Sequence, residues 1–181
     1  RDYYASRGLG DVYKRQSADS GVSTNSIYTR FGDKSGLFSA VVKPAADGLM
    51  EIYLGSISEA SVRGSANTAI DMGGDGTEQV LKYIYDNLDA FRLIFCNSAG
   101  TEYEDYFDRL AETEEKFYRD FVRKYAKEPQ KISDFFIHVV CRTGWQYVFE
   151  VVSHDIPYEE AQGFMKSIRE YSFAGWKRVM E

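Results

Sequence analysis

The chain has 181 residues, 44% of them hydrophobic and 15% aromatic, with a formal net charge of -6. That length buries a substantial core, in one domain or in a small head on a larger body, and the acidity excludes a surface that binds nucleic acid over its whole extent. No apolar run approaches the roughly 20 residues of a membrane span, the opening RDYYASRGLG lacks a secretory apolar stretch, and Cys96 and Cys141 are too few for a disulfide framework, so no membrane partner and a reducing cytoplasm are expected.

Residues 1–16, RDYYASRGLGDVYKRQ, show no helical apolar periodicity and carry two glycines. The run Asp11 to Gln16 back-translates as GAT GTG TAT AAG AGA CAG, which resembles a transposase end sequence used to build shotgun sequencing libraries. The expectation is therefore a native chain beginning near Ser17, with residues 1–16 adapter-derived. The competing reading is a divergent N-terminal arm.

From Gly21 to Val42 the pattern becomes organised. Gly21 supplies a turn residue, Val22 an apolar plug and Ser23 an N-cap hydroxyl, after which Ile27 and Phe31 fall on one helical face. Thr24, Asn25, Tyr28 and Thr29 occupy the opposite face. Asp33 can cap the next helix, whose first apolar residues are Leu37, Phe38, Val41 and Val42.

Gly21, Val22, Ser23, Ile27, Tyr28, Phe31, Lys34, Leu37 and Phe38, in this spacing, resemble the tetracycline-repressor (TetR) family of transcriptional regulators where the recognition helix meets the helix after it. The resemblance implies an all-α fold with an N-terminal helix-turn-helix head, here incomplete, over residues 17–43, and a larger helical ligand-binding and dimerisation domain over residues 44–181. It also implies contact with a double-stranded DNA operator through Thr24, Asn25, Ser26, Tyr28, Thr29, Arg30 and Lys34. The chemistry agrees. Free N–H groups of the first turn, Tyr28 and Lys34 suit phosphate, whereas Asn25, Thr29 and Arg30 suit base edges. Gly32 and Gly36 depart from the polar residues the family often carries there, which bears on the stiffness of the junction. Residues 1–43 carry seven Lys/Arg against four Asp/Glu and the remainder 15 against 24, but residues 17–43 alone carry three against two.

The body reads as helical nearly throughout. Leu37 to about Ser58 is predicted as one long helix, bent at Pro44 by the missing N–H and the ring, and weakened at Gly48; Pro44 is the expected hinge between head and body. Residues 61–76, SVRGSANTAIDMGGDG, are expected to form a loop. A helix is predicted from Thr77 to about Cys96, with Val80, Ile84, Leu88 and Phe91 on one face, and an acidic, aromatic helix from about Thr101 to Lys127, stopped by Pro129. Two last helices follow. Ile132 to His154 carries Phe135, Phe136, Val139, Val140, Tyr147, Val148 and Val151, and a final helix opened by Pro157 carries Ala161, Phe164, Met165, Ile168, Tyr171, Gly175 and Val179. Cys141, Gly144, Ala174 and Gly175 would allow these two helices to pack closely. The resemblance implies that they build the four-helix bundle of a homodimer; the residues alone leave a monomeric core open.

Phe91, Phe95, Tyr103, Tyr106, Phe107, His138, Trp145 and Phe149 are the candidate lining of an apolar cavity for a small-molecule effector, although an aromatic stripe also serves as plain core. His138 and Cys141 share a helical face, as a metal pair or a thiolate with its base would. Two ligands do not make a site, so neither enzyme, metal nor cofactor is expected. The acidic residues Glu102, Glu104, Asp105, Asp108, Glu112, Glu114 and Glu115 read as a solvated face. The function expected is that of a ligand-responsive repressor which binds a palindromic operator as a dimer and whose effector opposes DNA binding. The alternative, to which the incomplete head lends weight because the recognition helix then lacks its supporting helices, is a helical dimeric small-molecule-binding or interaction protein without DNA binding.

Overall fold

The computed structural model describes residues 23–62 and 66–181; the readings made of residues 1–22, including Gly21 and Val22, and of the side chains of Thr24 and residues 59–75 lie outside the described residues. The fold is all-α. Its helices are α1 (Thr24–Phe31), α2 (Lys34–Val62), α3 (Ala66–Asp86), α4 (Leu88–Asn97), α5 (Tyr106–Tyr125), α6 (Asp134–Ser153) and α7 (Tyr158–Met180), with a 3-10 turn at Pro129–Lys131 and no strand among the described residues. The chain divides into two compact units, one ending at Val41 and one spanning Val42–Glu181.

In the first unit, α1 starts where Ser23, in extended backbone, accepts the Ser26 N–H on its Oγ at 3.1 Å. It stops at Gly32, whose φ of 77° suits glycine and whose N–H donates to the Tyr28 carbonyl at 2.9 Å. Asp33 then caps α2, its Oδ1 accepting the Gly36 N–H at 2.8 Å. Gly36 is held so near the Phe31 carbonyl that a Cβ would lie 2.0 Å from its oxygen. Both glycines therefore have a steric reason in the turn itself.

In the second unit, α2 runs through Pro44 as one helix. Beyond it the helix is braced by two tyrosines: Tyr83 donates to the Pro44 carbonyl at 3.4 Å and Tyr106 to the Ala46 carbonyl at 2.7 Å. Gly48 takes part in this bracing, because a Cβ there would lie 2.1 Å from the Tyr83 hydroxyl. Val42, Leu49, Ile84, Phe91, Leu110, Ile137 and Val152 are fully buried and form the centre of the core. The most extensive helix pairing is α5 with α6.

Three boundaries differ from the sequence reading. Helix α3 begins at Ala66, where a loop was expected as far as Gly76. Gly76 is buried, and a Cβ there would touch Ser56 at 3.0 Å, so close packing against α2 offsets the weak helix propensity of this segment. The helix expected over Thr77–Cys96 is broken at Asn87, whose side-chain amide donates to the Tyr83 carbonyl at 3.0 Å and competes with the helical ladder. The helix expected from Thr101 starts at Tyr106, because Thr101 folds residues 98–103 into a turn by donating from Oγ1 to Ser98 and accepting the Tyr103 N–H. At the other end of the chain, Ser133 caps α6 by accepting from Phe136, and Asp155, at φ 54°, turns the chain towards α7.

Candidate functional site

Two regions concern function, one in each unit. In the first, Asn25, Ser26, Thr29, Arg30 and Lys34 are exposed, and Tyr28 is 52% exposed. No acid lies in α1. Thr29 donates to the Asn25 carbonyl at 2.8 Å, Ser26 shares a 2.8 Å hydrogen bond with Ser23, and the Arg30 guanidinium lies 5.5 Å from the Phe31 ring centre. Six of the seven candidate DNA-contacting side chains therefore face solvent on one capped helix and the start of the next; the seventh, Thr24, is outside the described side chains.

The second region is a cavity of about 760 Å³ in the larger unit. Its walls come from α2, α3, α5, α6 and α7, and they are aromatic and aliphatic except at a few points. Tyr53 meets Trp145 edge-on, with ring centres 5.1 Å apart, and Tyr118 stacks on Trp176 at 4.7 Å. The charged side chains among its lining residues are Glu114 and Arg169; Arg169 is exposed, whereas Glu114 points at Gly144 with its Oε2 3.8 Å from where a Cβ would be.

Burial pushes the Glu114 carboxyl up to about 8, against the pull of the Tyr53 hydroxyl and the Trp145 indole N–H, which favour its ionised form. The indole N–H is near enough for this influence but completes no well-aligned hydrogen bond. Trp145 is only 4% exposed, and its Nε1 is buried without a partner. Burial also raises Tyr53, Tyr118 and the Cys141 thiol.

Of the eight aromatic or histidine residues expected to line an effector pocket, Trp145 lines this cavity and the other seven do not. Phe91, Phe95, Phe107 and Phe149 pack on one another. Tyr103 and Tyr106 are buried, with Tyr106 bound to α2. His138 is held at 2.7 Å by Glu115, which also accepts from Arg119 at 2.8 Å and is only 5% exposed.

The acidic run of α5 is not the uniformly solvated face expected. Asp108 pairs with Arg142 across the helix interface, Glu115 is buried in its ion-pair network, and Glu114 faces the cavity. Helical spacing carries the signal that the sequence reading passed over: Leu110, Ala111, Phe121 and Val122 are buried on α5, and Glu114 and Glu115 fall on the same stripe. With Nδ1 of His138 on Glu115 and the Cys141 thiol raised by burial, the two form no thiolate–base pair. Among the described residues no group of three or more His, Cys, Asp or Glu is placed to hold a metal, and no helix is long and apolar enough to cross a membrane. Comparison with known protein families, curated proteins and solved structures finds no match to the chain.

Proposed function

We propose that this chain is a ligand-responsive DNA-binding regulator of the tetracycline-repressor kind, acting as a homodimer on a palindromic operator. The observation that carries the reading is α1: a helix capped by Ser23, ended at Gly32, and presenting Asn25, Ser26, Tyr28, Thr29 and Arg30 to solvent with no acid among them. Such a helix offers N–H donors and hydroxyls to phosphate, and an amide and a guanidinium to base edges. Two copies about 34 Å apart would read successive major grooves.

The larger unit supports the other two parts of the reading. Its cavity lies within the roughly 300–1,000 Å³ usual for small-molecule sites. Its last two helices expose apolar side chains that a partner would cover: Phe135 is 74% exposed and Tyr171 71%, with Val139, Phe164 and Val179 exposed beside them in sequence. Nothing lies within 4 Å of a Cβ built on Gly175, which leaves room for a second helix to approach. On this reading the protein catalyses no reaction, and its effector acts by favouring a dimer that fits DNA poorly.

Binding to DNA flanking the gene, followed by fluorescence anisotropy over a salt series, tests the proposal. Affinity should fall steeply with salt, and Lys34→Ala should lower the log–log slope by about 1 with little change in sequence preference. Saturable effector binding with no DNA binding would instead favour a dimeric small-molecule-binding protein.

A further inference from the structure

We propose that the cavity takes an amphipathic organic cation, a positively charged centre carrying apolar rings or chains, with its charge at Glu114. This rests on the ligand-sensing reading above and gives its effector a chemical class.

Two observations point to a cation. Of the two charged side chains among the lining residues, the acid is inside and the base, Arg169, is exposed, so an anion of this size would sit against a carboxyl group. The neighbouring Glu115 already has Arg119 and His138, whereas no cation figures among the groups acting on Glu114. An ionised carboxyl in apolar surroundings needs an opposite charge, and the aromatic side chains of Tyr53, Phe117, Tyr118 and Trp145 add favourable quadrupoles for one.

The Trp145 N–H is a donor, so it bears on the form of Glu114 and not on the cation itself. Of the buried side-chain nitrogen and oxygen atoms without a hydrogen-bond partner among the described residues, Trp145 Nε1 is the one on the cavity wall. Ionised Glu114 is a stronger acceptor than the neutral acid, and the Tyr53 hydroxyl can donate to it as well. Both donors therefore support the ionised form of Glu114 that a bound cation requires. Below about pH 8 the cation must displace the proton of Glu114, so uptake releases a proton to solvent. The other titratable groups facing this point, Tyr53 from α2, Tyr118 from α5 and Cys141 from α6, are raised by burial; Arg169 of α7 is exposed, and the cavity's lining residues on α3 include no charged side chain.

The test titrates the 181-residue chain with tetraphenylphosphonium, with tetraphenylborate as its charge-reversed counterpart and triphenylphosphine oxide as a neutral one. Occupancy is read from the fluorescence of Trp145 and Trp176, which both line the cavity. The cation should bind at least about tenfold tighter than either comparison compound. Its affinity should rise with pH, by at most about tenfold per unit, up to about pH 8 and then level off. Calorimetry in buffers of different ionisation heat should show close to one proton released near neutrality. Glu114→Gln should lose about tenfold in cation affinity together with the pH dependence and the proton release, while Trp145→Phe keeps the pH dependence and loses a few-fold. Circular dichroism confirms that both variants fold. Equal binding of the oxide or the borate, or an unchanged Glu114→Gln, overturns the cation proposal and leaves the sensor reading standing. Failure of all three compounds to alter either tryptophan overturns it too, and the operator assay judges the regulator reading separately.

Discussion

Two aromatic regions of the larger unit look alike in sequence and differ in structure. Phe91, Phe95, Phe107 and Phe149 close on one another, with ring centres 5.7 to 6.4 Å apart and Phe91 fully buried. Tyr53, Tyr118, Trp145 and Trp176 instead surround open space, and that space holds the Glu114 carboxyl and an indole N–H without a partner. Aromatic density alone marks core. What marks a site is a polar group whose partners the fold does not supply.

The largest effect that would sharpen this contrast is at the closed cluster. Phe91→Ala should cost about 3–5 kcal/mol in chemical denaturation, because a fully buried ring leaves a void, yet it should leave tetraphenylphosphonium affinity unchanged in folded protein. Loss of probe binding with little loss of stability would reverse the roles assigned to the two regions.

The adjacent acids Glu114 and Glu115 give smaller effects of different kinds. Glu115→Gln removes the shared acceptor of Arg119 and His138, whose side chains are 31% and 41% exposed, so the cost should be about 1–3 kcal/mol after solvent screening, with cation binding retained. Glu114 acts through pH. Its carboxyl is at about 8 in the folded chain against an ordinary 4.5, so the folded state holds the proton more tightly over that window. The associated stability is present below it and is lost as pH rises towards 8, at most about 1.4 kcal/mol per unit and about 1–2 kcal/mol in all once water in the cavity is allowed for. Denaturation of the wild type and Glu114→Gln across this window should show that slope in the first and not in the second.

Much of the helical framework was legible in the sequence because the signals were local. Ser23 and Asp33 cap their helices as their positions indicated, and Pro157 immediately precedes α7. The misjudged boundaries had different causes: Gly76 is helical because it packs on Ser56 of another helix, whereas α3 breaks at Asn87 through a local competition in which that side chain takes the Tyr83 carbonyl one turn back. The candidate site was less legible. Counting aromatic residues selected Trp145 on the cavity wall together with four phenylalanines that pack on one another, and reading the acids of α5 as a charge run hid that Glu114 lies on its apolar stripe. Empty volume depends on how five helices meet, which no single segment records.

The most direct measurement of the regulator account is DNA binding by this chain, to the region flanking its gene, with and without tetraphenylphosphonium. The account predicts sequence-selective, salt-steep binding that the cation weakens in the wild type and barely affects in Glu114→Gln. Cation uptake reported by the tryptophans with no DNA binding at any salt concentration would contradict it.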